Sequence, residues 1–152
     1  MCTTAQKCER PARELEIQLA ADEMAPRKAR QFVRHHFERL GYPGFADDAT
    51  VVVSELVTNA VTAAPWAPVF VSLLPASGRV VLEVWDMSPY HPEPRDPDPM
   101  ATGGRGLRVV AELSVTFGCE QKGPWKAVWA LFGGTGGASL DPYAPCVSNP
   151  TR

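Results

Sequence analysis

The chain holds few cysteines and histidines, and none in a ligating pattern. Cys2, Cys8, Cys119 and Cys146 form no Cys-x-x-Cys pair, so neither a zinc site nor a disulfide framework is indicated, and reduced thiols are expected. His35, His36 and His91 form no cluster. No apolar run approaches the roughly 20 residues needed to span a bilayer. The N-terminus, with Lys7, Glu9 and Arg10, has no signal-peptide core, and a cytoplasmic protein with no membrane partner is expected. An excess of positive charge is also missing. Lys and Arg number 15 against 17 Asp and Glu, a net charge of -2, which leaves no broad basic footprint for nucleic acid. A protein partner or a small ligand is the remaining expectation.

What is present suffices for one domain with flexible ends. The chain has 152 residues, 45% of them hydrophobic and 21% charged, enough for a core with an ordinary soluble surface. Its most informative stretch runs from Val53 to Ala64. Apolar residues at Ala49, Val52, Val53, Leu56, Val57, Ala60 and Val61 follow the helical period and predict a helix buried along one stripe. Beside that stripe, Glu55, Asn59 and Thr62 stack along one edge. Such an edge is either an ordinary solvated face or a place where a proton-accepting carboxylate and a cation-ligating amide oxygen share a pocket.

The flanking segments are read in order. Residues 1–11 lack periodicity and are expected to be a disordered leader. Leu15, Ile17 and Leu19 alternate with polar residues as in a half-buried strand. Pro26 suits the first turn of a helix whose buried face is Ala29, Phe32, Val33, His36, Phe37 and Leu40, stopped by Gly41 and Pro43. His36 is expected to be a hydrogen-bonded core histidine. Arg27, Lys28, Arg30, Arg34 and Arg39 make the other face basic, either simply solvated or docking an acidic partner. The central helix ends before Pro65. Val69–Leu73 and Val80–Trp85 predict a hairpin turning at Ala76-Ser77-Gly78. Asp86 ends the second strand, either capping a turn or reaching into a pocket.

Prolines at 89, 92, 94, 97 and 99 exclude regular structure from about 88 to 103, so this stretch is a functional lid or an insert. It ends in Gly103-Gly104-Arg105-Gly106-Leu107, which leads into an apolar helical segment. Glycines ahead of a helix either let backbone amides approach a phosphate or serve as a hinge. Strands near Ser114–Glu120 and Lys126–Phe132 follow, and residues 134–152 are expected to be a flexible tail. Lys126 is taken as a surface residue.

In this order, Glu55-Leu56-Val57-Thr58-Asn59-Ala60, then Val84-Trp85-Asp86, then Gly103-Gly104-Arg105-Gly106-Leu107 and a closing Lys126-Ala127-Val128-Trp129-Ala130 resemble the GHKL ATPase superfamily. Within it they resemble the anti-sigma-factor serine/threonine kinases of actinobacterial type and their relatives. The resemblance covers residues 14–132, within a domain of 12–133. The resemblance implies an α/β (α+β) two-layer sandwich of Bergerat type, with a mixed, largely antiparallel sheet carrying helices on one face. It implies ATP and Mg2+ as cofactors. Glu55 takes the place of the general base, Asn59 that of the Mg2+ ligand and Asp86 that of the adenine-binding aspartate. Backbone amides of Gly104, Gly106 and Leu107 are implied at the phosphates. Arg105 either adds charge stabilisation there or faces solvent. The implied partners are a sigma factor and an anti-sigma-factor antagonist, with a homodimer expected by analogy.

Two departures stand out. Asp86 is followed by Met87-Ser88 where relatives carry x-Gly, so a Cβ stands where the backbone would approach the base. Asn59 is followed by Ala-Val-Thr-Ala-Ala, without the His-Ala common in relatives. The alternative function is a non-catalytic interaction module with a structural or degenerate nucleotide pocket. The catalytic half of a two-component histidine kinase ranks last, because no phosphoacceptor helix precedes the domain.

Overall fold

A computed structural model describes residues 10–89, 105–134 and 147–148. The expected leader before Arg10, the lid from residue 90 to 103, Gly104, and the tail apart from Gly134 and residues 147–148 lie outside the described residues.

The chain runs β1 (Leu15–Leu19), α1 (Ala25–Arg39), a 3-10 turn (Pro43–Phe45), α2 (Ala46–Ala63), β2 (Val69–Ala76), β3 (Arg79–Asp86), α3 (Arg105–Leu113), β4 (Thr116–Lys122), β5 (Trp125–Gly133) and β6 (Val147–Ser148). The strands form one sheet in the order β1-β2-β3-β5-β4-β6, antiparallel except for the parallel β4–β6 pair. The expected mixed, largely antiparallel sheet with helices on one face is what the chain forms.

Side-chain alternation decides which face the helices cover. Leu15, Ile17 and Leu19 on β1, Val69, Val71 and Leu73 on β2, and Val80, Leu82 and Val84 on β3 share one face by cross-strand register. They pack with Ala29, Val33 and Phe37 of α1 and Val52, Val53, Leu56, Val57 and Ala60 of α2 into the core. Burying a side chain of this size stabilises the fold by about 1.5–3 kcal/mol, so this stripe fixes where α2 lies. Phe37 meets Phe132 of β5 edge to face at 5.5 Å, closing the two layers together.

Local signals set the helix ends. Pro26 lies in the first turn of α1, and Gly41 at φ 85° ends it. The Tyr42 N–H donates to the Phe37 carbonyl at 2.9 Å and that of Gly41 to Glu38 at 3.2 Å, the paired bonds of a Schellman stop. Asp47 and Asp48 occupy the first turn of α2, at the positive end of its dipole. Part of the basic face of α1 is turned onto α2: Arg30 donates to Ser54 Oγ at 2.9 Å and Arg34 to Asp47 Oδ1 at 2.8 Å. His36 is half-buried, with its ring 4.5 Å from that of Phe32. Burial, then the neighbouring His35 and Arg39, hold its pKa below the ordinary histidine value.

The sheet's other face is polar and aromatic. Glu16, Ser72, Glu83 and Trp129 form one cross-strand row, and Gln18, Phe70, Trp85 and Ala127 the next. Arg13 grips Glu83 through Nε and Nη2, both at 3.0 Å, and the Trp85 indole N–H donates to the same carboxylate at 3.0 Å. Arg10 binds Glu16 through both terminal nitrogens and stacks 3.6 Å from the Phe70 ring centre. The chain ahead of β1 is thereby tied across the sheet from residue 10 onward.

Reduced thiols were expected throughout, yet Cys119 is disulfide-bonded, with its partner outside the described residues. Chain spacing carried no sign of this, because tertiary folding brings the two sulfurs together. Among the described residues, no helix is long and apolar enough to cross a membrane.

Candidate functional site

α2 carries the first two candidate residues. Its buried stripe faces the sheet, which turns Glu55 to a half-buried position and Asn59 to an exposed one along the helix edge. Thr62, expected on the same edge, is exposed and donates to the Thr58 carbonyl at 2.8 Å, so its hydroxyl serves its own helix.

α3 packs against that edge. A Cβ placed on Gly106 would stand 2.8 Å from Glu55 Oε2 and 3.5 Å from Asn59 Nδ2. With no side chain, Gly106 lets the first turn of α3 come this near the carboxylate and amide of α2 without displacing them. Leu107, 5% exposed, anchors that turn in the core together with Val110. Among the described residues the helix runs from Arg105, and the amide N–H groups of Arg105, Gly106 and Leu107 find no described carbonyl partner within it. The positive end of a helix dipole beside a carboxylate and an amide side chain suits a phosphate-bearing ligand. Gly106 therefore stands beside Glu55 and Asn59. Gly104 lies outside the described residues, as does the side chain of Arg105.

A second centre lies at the end of β3. Asp86 is 3% exposed and its side chain shares the face of Val80, Leu82 and Val84. Its cross-strand neighbour on β5 is Lys126, whose Nζ lies 3.4 Å from Asp86 Oδ1. The Ser88 backbone N–H donates to the same oxygen at 2.7 Å. Asp86 therefore both closes a turn and accepts charge from a lysine. Burial pushes its pKa above the ordinary carboxylate value, while Lys126 and the Ser88 amide pull it back down.

Lys126 corrects the sequence reading. The sequence places it at the surface, whereas the structure has it 4% exposed and paired with Asp86. The alternation of β5 held the signal: Lys126, Val128, Ala130 and Phe132 share one face, and three of the four are apolar residues buried under the helices. A lysine in that row requires a buried counter-charge.

The donor set can also be tested against Mg2+. Among the described residues, no three His, Cys, Asp or Glu side chains gather as a metal cage. Mg2+ bound to nucleotide needs no such cage, since it takes one or two protein oxygens and completes its shell with phosphates and water. Asn59, exposed beside the start of α3, fits that role.

Fold and site together define a two-layer α/β ATPase-type domain, with helix-edge polar residues facing a glycine-led helix and a buried aspartate at a strand end. Residues 19–130 match the histidine kinase-like ATPase domain, and the chain belongs to that family. No curated protein matches the chain. Among solved structures, it is similar to a chain in the SiaB–SiaC complex from Pseudomonas aeruginosa. Identity is 14% and the TM-score 0.55, over 78% of this chain and 89% of that one. At that identity the likeness is one of fold.

Proposed function

We propose that the protein is an ATP-binding regulator, a serine/threonine protein kinase that acts as a cytoplasmic anti-sigma factor and phosphorylates an anti-sigma-factor antagonist. The packing of Gly106 against Glu55 and Asn59 carries this reading, because it brings a carboxylate and an amide side chain to the first turn of a helix, the arrangement that proton acceptance, Mg2+ ligation and phosphate binding would require. The similarity to a chain from a two-protein complex supports a partner-binding role.

Phosphoryl transfer depends on positioning and charge neutralisation more than on covalent help from the protein. Asp86 accepts a hydrogen bond from the adenine amino group and orients the base. The amides of Gly106 and Leu107 hold phosphate oxygens. Asn59 supplies an oxygen to Mg2+, which when bound neutralises phosphate charge. Glu55 accepts the proton of the partner's hydroxyl as its oxygen bonds to the γ-phosphorus and the bond to the ADP oxygen breaks.

A second reading is a non-catalytic module, and Ser88 favours it. Ser88 is 1% exposed and its backbone amide bonds Asp86, so a buried residue with a side chain stands where relatives carry glycine. Calorimetric titration with ATP, with and without Mg2+, separates the two. The kinase reading expects wild type to bind, Asp86→Ala to abolish binding and Asn59→Ala to remove the Mg2+ dependence. It also expects Glu55→Gln to bind normally while losing transfer by about a thousandfold. Absence of binding at millimolar ATP would leave only the module.

A further inference from the structure

Asp86 and Lys126 form a buried ion pair at the end of β3. A lone carboxylate at 3% exposure would tend to take up a proton, since burial disfavours the charged form. Lys126 stands directly across the strand pair and is equally enclosed, with side-chain exposures of 6% and 4% for the two residues. Among the described residues, the contacts of Asp86 with Lys126 Nζ and with the Ser88 amide both fall on Oδ1. A carboxylate accepts up to about four hydrogen bonds, so Oδ2 keeps its capacity for a ligand. Among the described residues, the neighbours contribute no competing charge to Asp86. β2 presents Val69 and Val71 near this end of β3, α2 turns Glu55 toward Gly106, and Lys126 is the one charged group acting on Asp86 among the described residues.

We propose that Lys126 is a positioning and specificity residue: it keeps Asp86 a charged, acceptor-only carboxylate and so makes the pocket prefer a purine bearing a 6-amino group over one bearing a 6-keto oxygen. This rests on the nucleotide reading above. An amino group donates to a carboxylate, whereas a keto oxygen meets a second acceptor and is repelled. Without the lysine, Asp86 takes up a proton more readily, and the resulting acid donates to a keto oxygen. The discrimination then collapses, and does so more completely as pH falls.

The test compares binding of ATP and ITP to wild type, Lys126→Met and Lys126→Arg from about pH 5 to about pH 9, a span covering a raised carboxylate. Wild type is expected to favour ATP by about tenfold or more across the range, one hydrogen bond's worth of discrimination. In Lys126→Met the ATP preference should shrink toward parity at low pH and recover as pH rises, and Lys126→Arg should restore the wild-type profile. A carboxyl-carbon NMR titration of Asp86 in nucleotide-free protein should show it taking up its proton at higher pH in Lys126→Met than in wild type. An unchanged ATP-to-ITP ratio in a folded Lys126→Met protein overturns the proposal, as does an unchanged Asp86 titration. Wild type that binds neither nucleotide, while Asp86 still titrates as expected, overturns the nucleotide reading and the base preference but not the charge-holding role.

Discussion

Glu83 and Asp86 lie three residues apart on β3, and each is almost fully buried beside a cation, yet they do different things. Glu83 points to the face away from the helices. It receives the forked guanidinium of Arg13 through two bonds of 3.0 Å and the indole of Trp85 through a third. Its capacity is largely used, and the effect is to lock the start of the chain onto the middle of the sheet. Asp86 points to the helix side and has a lysine at 3.4 Å and one backbone amide, both on the same oxygen. Arginine presents a rigid bidentate fork, whereas lysine is a point charge on a flexible stem. The comparison separates a carboxylate built to hold the scaffold from one held ready for something else.

Breaking the second carboxylate should cost binding and not folding. Asp86→Asn keeps an oxygen for the Ser88 amide and Lys126 but can turn a donor toward the adenine amino group. ATP affinity is expected to fall about a hundredfold by calorimetry, with cooperative unfolding retained. Breaking the first should do the reverse. Arg13→Ala leaves Glu83 enclosed without its counter-ion, and urea denaturation should register a loss of about 2 kcal/mol, with the ATP dissociation constant unchanged. Equal effects of the two variants on both readouts would erase the distinction.

The third variant asks how tightly the site depends on close packing. Gly106→Val forces its side chain onto Glu55 Oε2, where even a Cβ would stand at 2.8 Å. Glu55 has rotamers to move into, so the fold should survive. Transfer to an antagonist protein should drop about tenfold, measured with labelled ATP at saturating nucleotide, as misplacing one catalytic group does.

The smallest effect is in pH dependence, and its sign follows from burial. The folded pKa of Asp86 is raised above its ordinary value, so the folded state holds this proton more tightly than the unfolded chain does. The stability contributed by this group is full below the ordinary carboxylate range and is lost as pH rises through the raised folded value. Asp86→Asn should therefore flatten that decline in urea melts taken across the acidic range. In contrast, a variant in which the decline persists would place its origin elsewhere.

Periodicity and punctuation made most of the architecture readable in advance. The stripe from Ala49 to Val61 specified α2 and its buried side, alternation in Leu15–Leu19 and Val80–Trp85 specified strands, and Pro26, Gly41 and Pro65 marked helix ends. These are local effects of backbone geometry and of apolar side chains leaving water, so they are written in short windows of sequence. The box residues Glu55, Asn59, Asp86 and Gly106 were also visible, through their types and order. Tertiary structure alone decided which groups meet. Arg13 reaches Glu83 across 70 positions of chain, and Lys126 reaches Asp86 only because β5 pairs with β3 in one particular register. Cys119 likewise gains its disulfide only in the folded chain. Contacts of this kind depend on strand order and register, which long-range packing sets and no local pattern encodes.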